Sequence, residues 1–237
     1  MIIALLTAAG TGTRMGQDIP KQFMHVDNKP IIIHTMEAFQ KHPMIDAICA
    51  VTLPSWIDVL KAYAKQFNIT KLNWSVPGGA TGQESILHGL KAIAQDKDED
   101  TIILIHDGNR CFVSTEIISN SIATFKQHGS AVAAIPCVEA VFRSNDNGRS
   151  STVSIPREQL FRTQTPHVYT LGKLLWAHQK AEEKGIANTA ATCSLMQMLG
   201  ETIYFSKGSE ENLKITTVED IMIFKALLHT KKDAWLK

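Results

Sequence analysis

The chain has 237 residues, a formal net charge of +1, 44% hydrophobic residues and 20% charged ones. That size suits a single domain over 1–237 with a core of its own, and the near-zero charge argues against nucleic acid as the main partner. No apolar stretch approaches membrane-spanning length, and the apolar start is short and lacks a basic lead, so a cytoplasmic protein without a membrane partner is expected.

In chain order, short apolar runs alternate with amphipathic stretches. Residues 2–7 read as a strand, 30–40 as a helix with Pro30 suited to its first position, 45–53 as a strand and 57–67 as a helix. A strand at 72–76 precedes a helix at 83–94, whose Ile86, Leu90, Ile93 and Ala94 share one face. A strand at 101–105, a helix at 115–128 and a strand at 131–137 follow. Such alternation argues for an α/β fold, a Rossmann-like, mostly parallel sheet with helices on both faces, and ligands at the carboxyl ends of its strands. Residues 138–165 break the pattern. Asn145-Asp146-Asn147-Gly148 is a turn flanked by Val141-Phe142-Arg143 and Thr152-Val153-Ser154, which predicts a projecting β-hairpin arm. An exposed two-stranded arm is marginal alone and finds a partner. Helices at 171–183 and 189–199, a strand at 202–206 and a last helix at 218–229 complete the chain. The four cysteines, Cys49, Cys111, Cys137 and Cys193, share no zinc or redox spacing and read as free, buried thiols.

The densest chemical signal follows the first strand. Ala8-Ala9-Gly10-Thr11-Gly12-Thr13-Arg14-Met15-Gly16 is a small, glycine-rich turn, and Pro20-Lys21-Gln22-Phe23 comes shortly after. Backbone N–H groups of such a turn can close on a polyphosphate. Arg14 and Lys21 can stabilise charge that builds on a transferring phosphoryl group. A Walker A loop is excluded, because Met15 and Lys21 stand in the wrong places for Gly-Lys-Ser/Thr. A dinucleotide fingerprint lacks its third glycine and the acid about twenty residues on, which removes a nicotinamide-dependent oxidoreductase. What remains resembles the nucleotidyltransferase signature of the sugar-nucleotide pyrophosphorylase superfamily, and Pro-Lys-Gln-Phe narrows it to the cytidylyltransferase branch.

Four further segments are similar to that branch in the same order. Gly78-Gly79-Ala80-Thr81-Gly82-Gln83-Glu84-Ser85 matches its glycines and serine, with Gly82 where the family has Arg. Taken alone, it is a turn with a helix cap. His106-Asp107-Gly108-Asn109-Arg110-Cys111 matches a strand-end Asp, with Cys111 where the family has Pro; Asp107 could hold Mg²⁺ there, and His106 reads as a packed side chain. Arg157 is followed eight residues later by Thr165-Pro166, and Glu211-Asn212-Leu213-Lys214 matches a lysine motif near the end. Glu139-Ala140 and Thr189-Ala190 depart from the family, which has Asp-Thr and an acid after Thr.

The chain is thus identified as a member of the family of 2-C-methyl-D-erythritol 4-phosphate and ribitol-5-phosphate cytidylyltransferases. The resemblance implies transfer of CMP from CTP to a polyol phosphate with release of pyrophosphate. Methylerythritol phosphate, an isoprenoid precursor, stands first as acceptor because that enzyme is common. Ribitol phosphate, for wall or surface polymers, stands second. The resemblance implies that Arg14 and Lys21 are catalytic and that Asp107 holds Mg²⁺. Ala8, Ala9, Gly10, Thr11, Gly12, Gly78, Gly79, Ser85, Asp107 and Gly108 would surround the nucleotide. Arg110, Arg157, Thr165 and Lys214 would position the acceptor, some of them from a second subunit joined through the arm in a homodimer. The departures at Gly82, Cys111, Ala140 and Ala190 motivate a competing reading, a degenerate nucleotide-binding protein.

Overall fold

The computed structural model describes residues 1–10 and 19–230. Strand β1, Ile2–Ala8, alternates its side chains between two cores: Ile2, Ala4, Leu6 and Ala8 join one, Ile3 and Leu5 the other. A strand buried on both faces needs such a continuous apolar run. After it, β2 (His25–Val26) and β3 (Lys29–Pro30) form a two-residue hairpin with Asp27 and Asn28 at positive φ, the conformation that Asn and Asp tolerate best. This hairpin carries no alternating pattern and was invisible in the sequence. It delivers α1, Ile31–Lys41, with Pro30 one step before the first helical residue rather than within it.

Next come β4 (Ala47–Thr52), α2 (Ile57–Gln66), β5 (Leu72–Pro77), α3 (Gly82–Ile93), β6 (Ile102–Asp107), α4 (Thr115–His128) and β7 (Ala131–Pro136). All match the expected elements to within a few residues. β6 runs two residues further than expected, so Asp107 is its last residue. The arm consists of β8 (Val141–Arg143) and β9 (Val153–Ile155), paired antiparallel with Phe142 opposite Ser154. Its tip is organised by Asp146, whose carboxylate accepts from the Ser144 and Ser150 hydroxyls at 2.6 Å each and from the Arg149 and Ser150 N–H groups.

The largest departure from the sequence reading is β10, Phe161–Thr170. The sequence pattern gave no strand around Thr165-Pro166. That segment is a ten-residue strand lying antiparallel between β6 and β7. A proline cannot donate to a ladder and is tolerated in a strand at an irregularity. The register with β7 shifts between Thr163 and His167, so Pro166 falls where no ladder bond is required. Helix α5 (Leu171–Glu183), α6 (Thr192–Met198), β11 (Phe205–Lys207) and α7 (Val218–Thr230) complete the chain. α6 and β11 each begin three residues later than the sequence suggested.

The seven-stranded sheet has the order β11-β7-β10-β6-β1-β4-β5, parallel throughout except at β10. Helices α1, α2 and α4 cover one face around Phe39, Leu60 and Ile118. Helices α3, α5 and α6 cover the other around Leu90, Leu174 and Met196. Helix α7 packs Phe224 against Val26, Ile31 and Ile215 in a third, smaller cluster. The carboxyl ends of β1, β4, β5 and β6 therefore open side by side at one edge, where the glycine-rich connections begin.

Candidate active site

A crevice of about 760 Å³ lies over those strand ends. Ala8 lines it from the end of β1 and Ala9 and Gly10 from the turn that follows, Gly79 from the turn into α3 and Ser85 from its first turn, Asp107 from the end of β6 and Arg110 from the loop after it, and Thr165 from β10. Lys21 and Lys214 complete this wall. Segments far apart in sequence are thus brought together as expected. Arg14, Thr11 and Gly12 lie outside the described residues.

The turn after β1 is fixed from below. Gln22 is 2% exposed, and its Nε2 donates to the carbonyls of Ala8 at 2.6 Å and Gly10 at 3.2 Å. Phe23 stacks on Trp56 with ring centroids 4.5 Å apart. The Pro-Lys-Gln-Phe run is therefore a clamp as well as a source of Lys21. Gln22 was not singled out in the sequence, although its place inside the motif was the available signal. Across the crevice, Thr81 caps α3, its Oγ1 accepting the Glu84 N–H at 3.1 Å, while the Glu84 carboxylate accepts the Ala80 N–H at 2.7 Å. Ser85 is 4% exposed and accepts the Gly79 N–H at 3.0 Å, so its hydroxyl sets the shape of the turn.

Two glycines named for the nucleotide stand behind the wall. A Cβ on Gly78 would overlap that of Ala9, and one on Gly108 would come within 2.7 Å of Ile32 and 3.0 Å of the Thr7 carbonyl. Their small size lets the strand-end loops pass each other closely. At Gly82, where the family carries Arg, a Cβ would meet open space.

The electrostatic centre is Asp107. Its Oδ2 accepts from Arg110 Nε and its Oδ1 from Lys214 Nζ, both at 2.9 Å. Burial alone would raise this carboxyl. The ammonium of Lys214 and the guanidinium of Arg110 outweigh it and hold the group well below the ordinary carboxylate range. Arg110 also donates to the Asn212 carbonyl at 2.7 Å. Asn109 joins Ile215 by two backbone-directed bonds, its N–H₂ donating to the Ile215 carbonyl and its own carbonyl accepting the Ile215 N–H. Together these bonds tie the 107–110 loop to the segment that carries Lys214.

Behind Asp107, His106 is fully buried and its pKa is pushed down to about 4 by burial. Its Nε2 faces the Arg110 carbonyl at 3.2 Å, so that nitrogen carries the proton. Nδ1 therefore accepts from the Thr165 hydroxyl at 3.0 Å, and the same hydroxyl oxygen accepts the Asp107 N–H at 3.0 Å. His106 is a packed side chain, as the sequence suggested. Thr165, named for the acceptor, has its hydroxyl proton committed to His106 and acts on the site by placing Asp107. Cys111 does not leave the loop loose. Its Sγ donates to the Ile31 carbonyl at 3.4 Å, and burial pushes the thiol up to about 12. All four cysteines are free and buried.

Arg157 is the one described candidate far from this cluster. It sits at the base of the arm, donates to the Val138 carbonyl at 3.2 Å and does not line the crevice of its own chain. No helix among the described residues is long and apolar enough to cross a membrane.

Residues 2–230 match the model of the 2-C-methyl-D-erythritol 4-phosphate cytidylyltransferase family. A ribitol-5-phosphate cytidylyltransferase of Lacticaseibacillus paracasei is 38% identical over 234 residues, covering 98% of this chain and all of that one. A 2-C-methyl-D-erythritol 4-phosphate cytidylyltransferase of Clostridium botulinum is 35% identical over 225 residues, covering 94% and 96% of the two chains. The crystal structure of a 4-diphosphocytidyl-2C-methyl-D-erythritol synthase superposes with a TM-score of 0.78 at 25% identity, covering 96% of this chain and 97% of that one.

Proposed function

Since the chain belongs to the 2-C-methyl-D-erythritol 4-phosphate cytidylyltransferase family, and so transfers a cytidylyl group from CTP to a phosphorylated sugar alcohol, we propose that its acceptor is ribitol 5-phosphate. Relatives named ribitol-5-phosphate cytidylyltransferase share 37–39% identity with it, against 35–36% for relatives named 2-C-methyl-D-erythritol 4-phosphate cytidylyltransferase. That order reverses the one taken from how common the isoprenoid enzyme is. Methylerythritol phosphate remains the second reading, on the family match itself.

The observation that carries the chemistry is the meeting of the β1 turn, Lys21 and the Asp107–Arg110–Lys214 cluster in one crevice. The triphosphate lies along Ala8, Ala9 and Gly10, with Gly79 and Ser85 facing the nucleoside. The acceptor's phosphate oxygen bonds to the α-phosphorus, the bond to the bridging oxygen breaks, and pyrophosphate leaves. A phosphate monoester is already a nucleophile, so the chain's residues position groups and neutralise charge. Lys21 and Arg14 stabilise charge on the α-phosphate and the leaving group. Lys214 and Arg110 receive the acceptor's phosphate, for which ammonium and guanidinium are suited donors.

Mg²⁺ belongs to the same proposal. Asp107 is the single carboxylate among the described residues lining the crevice and is held ionised, so it fits as a hard oxygen ligand once phosphates arrive and draw Lys214 away. When bound, the ion would neutralise triphosphate charge. The homodimer is also proposed. The arm exposes Phe142 and Val153, at 59% and 44%, and two-fold pairing would cover both copies and bring Arg157 to the neighbour's acceptor. The acceptor reading is tested by kcat/KM for pyrophosphate release with CTP and either polyol phosphate. Ribitol 5-phosphate is expected to lead. A methylerythritol phosphate preference overturns that choice.

A further inference from the structure

A single buried glutamine stands where three parts of the crevice wall meet. Residues Lys21–Phe23 form one 3₁₀ turn, closed by the Phe23 N–H donating to the Pro20 carbonyl at 2.8 Å. Gln22 is the middle residue of that turn. After it, Phe23 is buried and stacked on Trp56. Before it, Lys21 lines the crevice. The backbone that carries Lys21 is thus pinned through its neighbours.

The Gln22 amide directs its N–H₂ group at the turn after β1, towards the carbonyls of both Ala8 and Gly10. The Ala8 oxygen accepts a further bond from the Thr52 hydroxyl at 3.3 Å, and Thr52 is fully buried at the end of β4. A peptide group is planar, so holding the Ala8 oxygen also fixes the direction of the Ala9 N–H. The Thr52 carbonyl in turn accepts the Gly78 N–H at 2.8 Å. One line of hydrogen bonds therefore runs from the Lys21 turn, through the β1 turn, to the Gly78-Gly79 turn before α3. An apolar side chain at position 22 would fill the same space but leave the Gly10 carbonyl without this donor and the Ala8 carbonyl with only one.

We propose that Gln22 is a positioning residue for cytidylyl transfer: it holds the triphosphate-binding turn and the Lys21 ammonium at one fixed spacing, so that the cation meets the charge that develops on the phosphates. The inference rests on the role given to Lys21 above and goes beyond it, because Gln22 acts through Lys21 and the turn rather than on the substrates.

The test is a double-mutant cycle on the full chain, with CTP, Mg²⁺ and the better of the two polyol phosphates. Gln22→Met keeps the length of the side chain and removes its N–H donors. It should lower kcat about ten-fold, as for one lost hydrogen bond, and raise KM for CTP, with KM for the acceptor unchanged. In the Lys21→Ala chain the same substitution should lower kcat by less than about two-fold, the scatter of independent effects, while still raising KM for CTP. A side chain that only supports the fold would give the same factor in both backgrounds. Thr52→Val removes the other donor to the Ala8 oxygen but stands off the Lys21 turn, so it should raise KM for CTP and leave kcat nearly unchanged. Urea melts accompany each variant. Should Gln22→Met not fold, Gln22→Asn, which keeps the donors but withdraws them by one methylene, carries the same cycle. Equal factors in the two backgrounds, an unchanged kcat on loss of the amide, or a raised KM for the acceptor overturn the coupling. Near wild-type kcat in Lys21→Ala overturns the role of Lys21 and the coupling with it. Failure to use either polyol phosphate overturns the acceptor reading and this one together.

Discussion

Lys21 is where this account places the greatest demand on a single side chain. Charge accumulates on the leaving pyrophosphate only as the bond breaks, so its ammonium contributes more to the transition state than to bound CTP. Lys21→Ala should lower turnover about 10²–10³-fold, as for loss of one preorganised charge stabiliser, with a much smaller change in CTP affinity. Steady-state kinetics beside calorimetry would separate the two, and near wild-type turnover would refute the role. Thr165 makes a different demand. Thr165→Val strips the Asp107 N–H and the His106 Nδ1 of a shared partner. It should cost about 1–3 kcal/mol of stability, the usual penalty for buried groups left unpaired, and should lower activity by shifting Asp107. Thr165→Ser should restore both in denaturant melts and assays. Much of the site could be read from the chain because glycine turns and strand-end acids have fixed spacing. Gln22 and the true task of Thr165 could not. A buried glutamine or threonine gains its meaning from residues distant in sequence, and no local pattern announces them.

Among the elements, those with a periodic apolar face were legible. β1, β4 and α3 stood out because their burial follows a continuous run in the two strands and a helical stripe in the helix. β10 was hidden because Pro166 breaks its pattern, and only the neighbouring β6 and β7 make a strand of it. β11 is a three-residue edge strand, short enough for its bounds to depend on β7. The arm was legible through Asn145-Asp146-Asn147-Gly148, with Asn147 and Gly148 at positive φ, although its second strand starts one residue later than expected. Its outward Phe142 yields a prediction at this scale. Phe142→Asp should leave the fold intact, since the side chain is 59% exposed, yet convert a dimer to a monomer in sedimentation and reduce turnover as Arg157 is withdrawn. A wild-type chain that sediments as a monomer at tens of micromolar, roughly the range of an ordinary interface affinity, would count against the arm as a dimer device.

Across the whole molecule, the buried histidines set how stability responds to pH. His106, His167 and His178 each have their pKa lowered to about 4, burial being the main cause in all three. Unfolded, each imidazole takes up a proton as pH falls through its ordinary value of 6.5. The folded chain holds them neutral until about 4, so the unfolded state binds more protons between those values. Stability is therefore greatest above 6.5 and falls as pH drops from 6.5 towards 4, by up to about 1.4 kcal/mol per pH unit for each such group. Urea melts at pH 7.5, 6 and 5 should show a steadily falling midpoint, and a constant or rising one would contradict these burials. The same molecule, with its parallel strand ends gathered under one crevice, should perform one reaction. Phosphorus NMR of the full chain with CTP, ribitol 5-phosphate and Mg²⁺ tests this most directly. Two mutually coupled diphosphate resonances of a CDP-polyol, growing in step with free pyrophosphate, are the predicted result. Unchanged CTP, or CMP released with no new diphosphate bond, would contradict it.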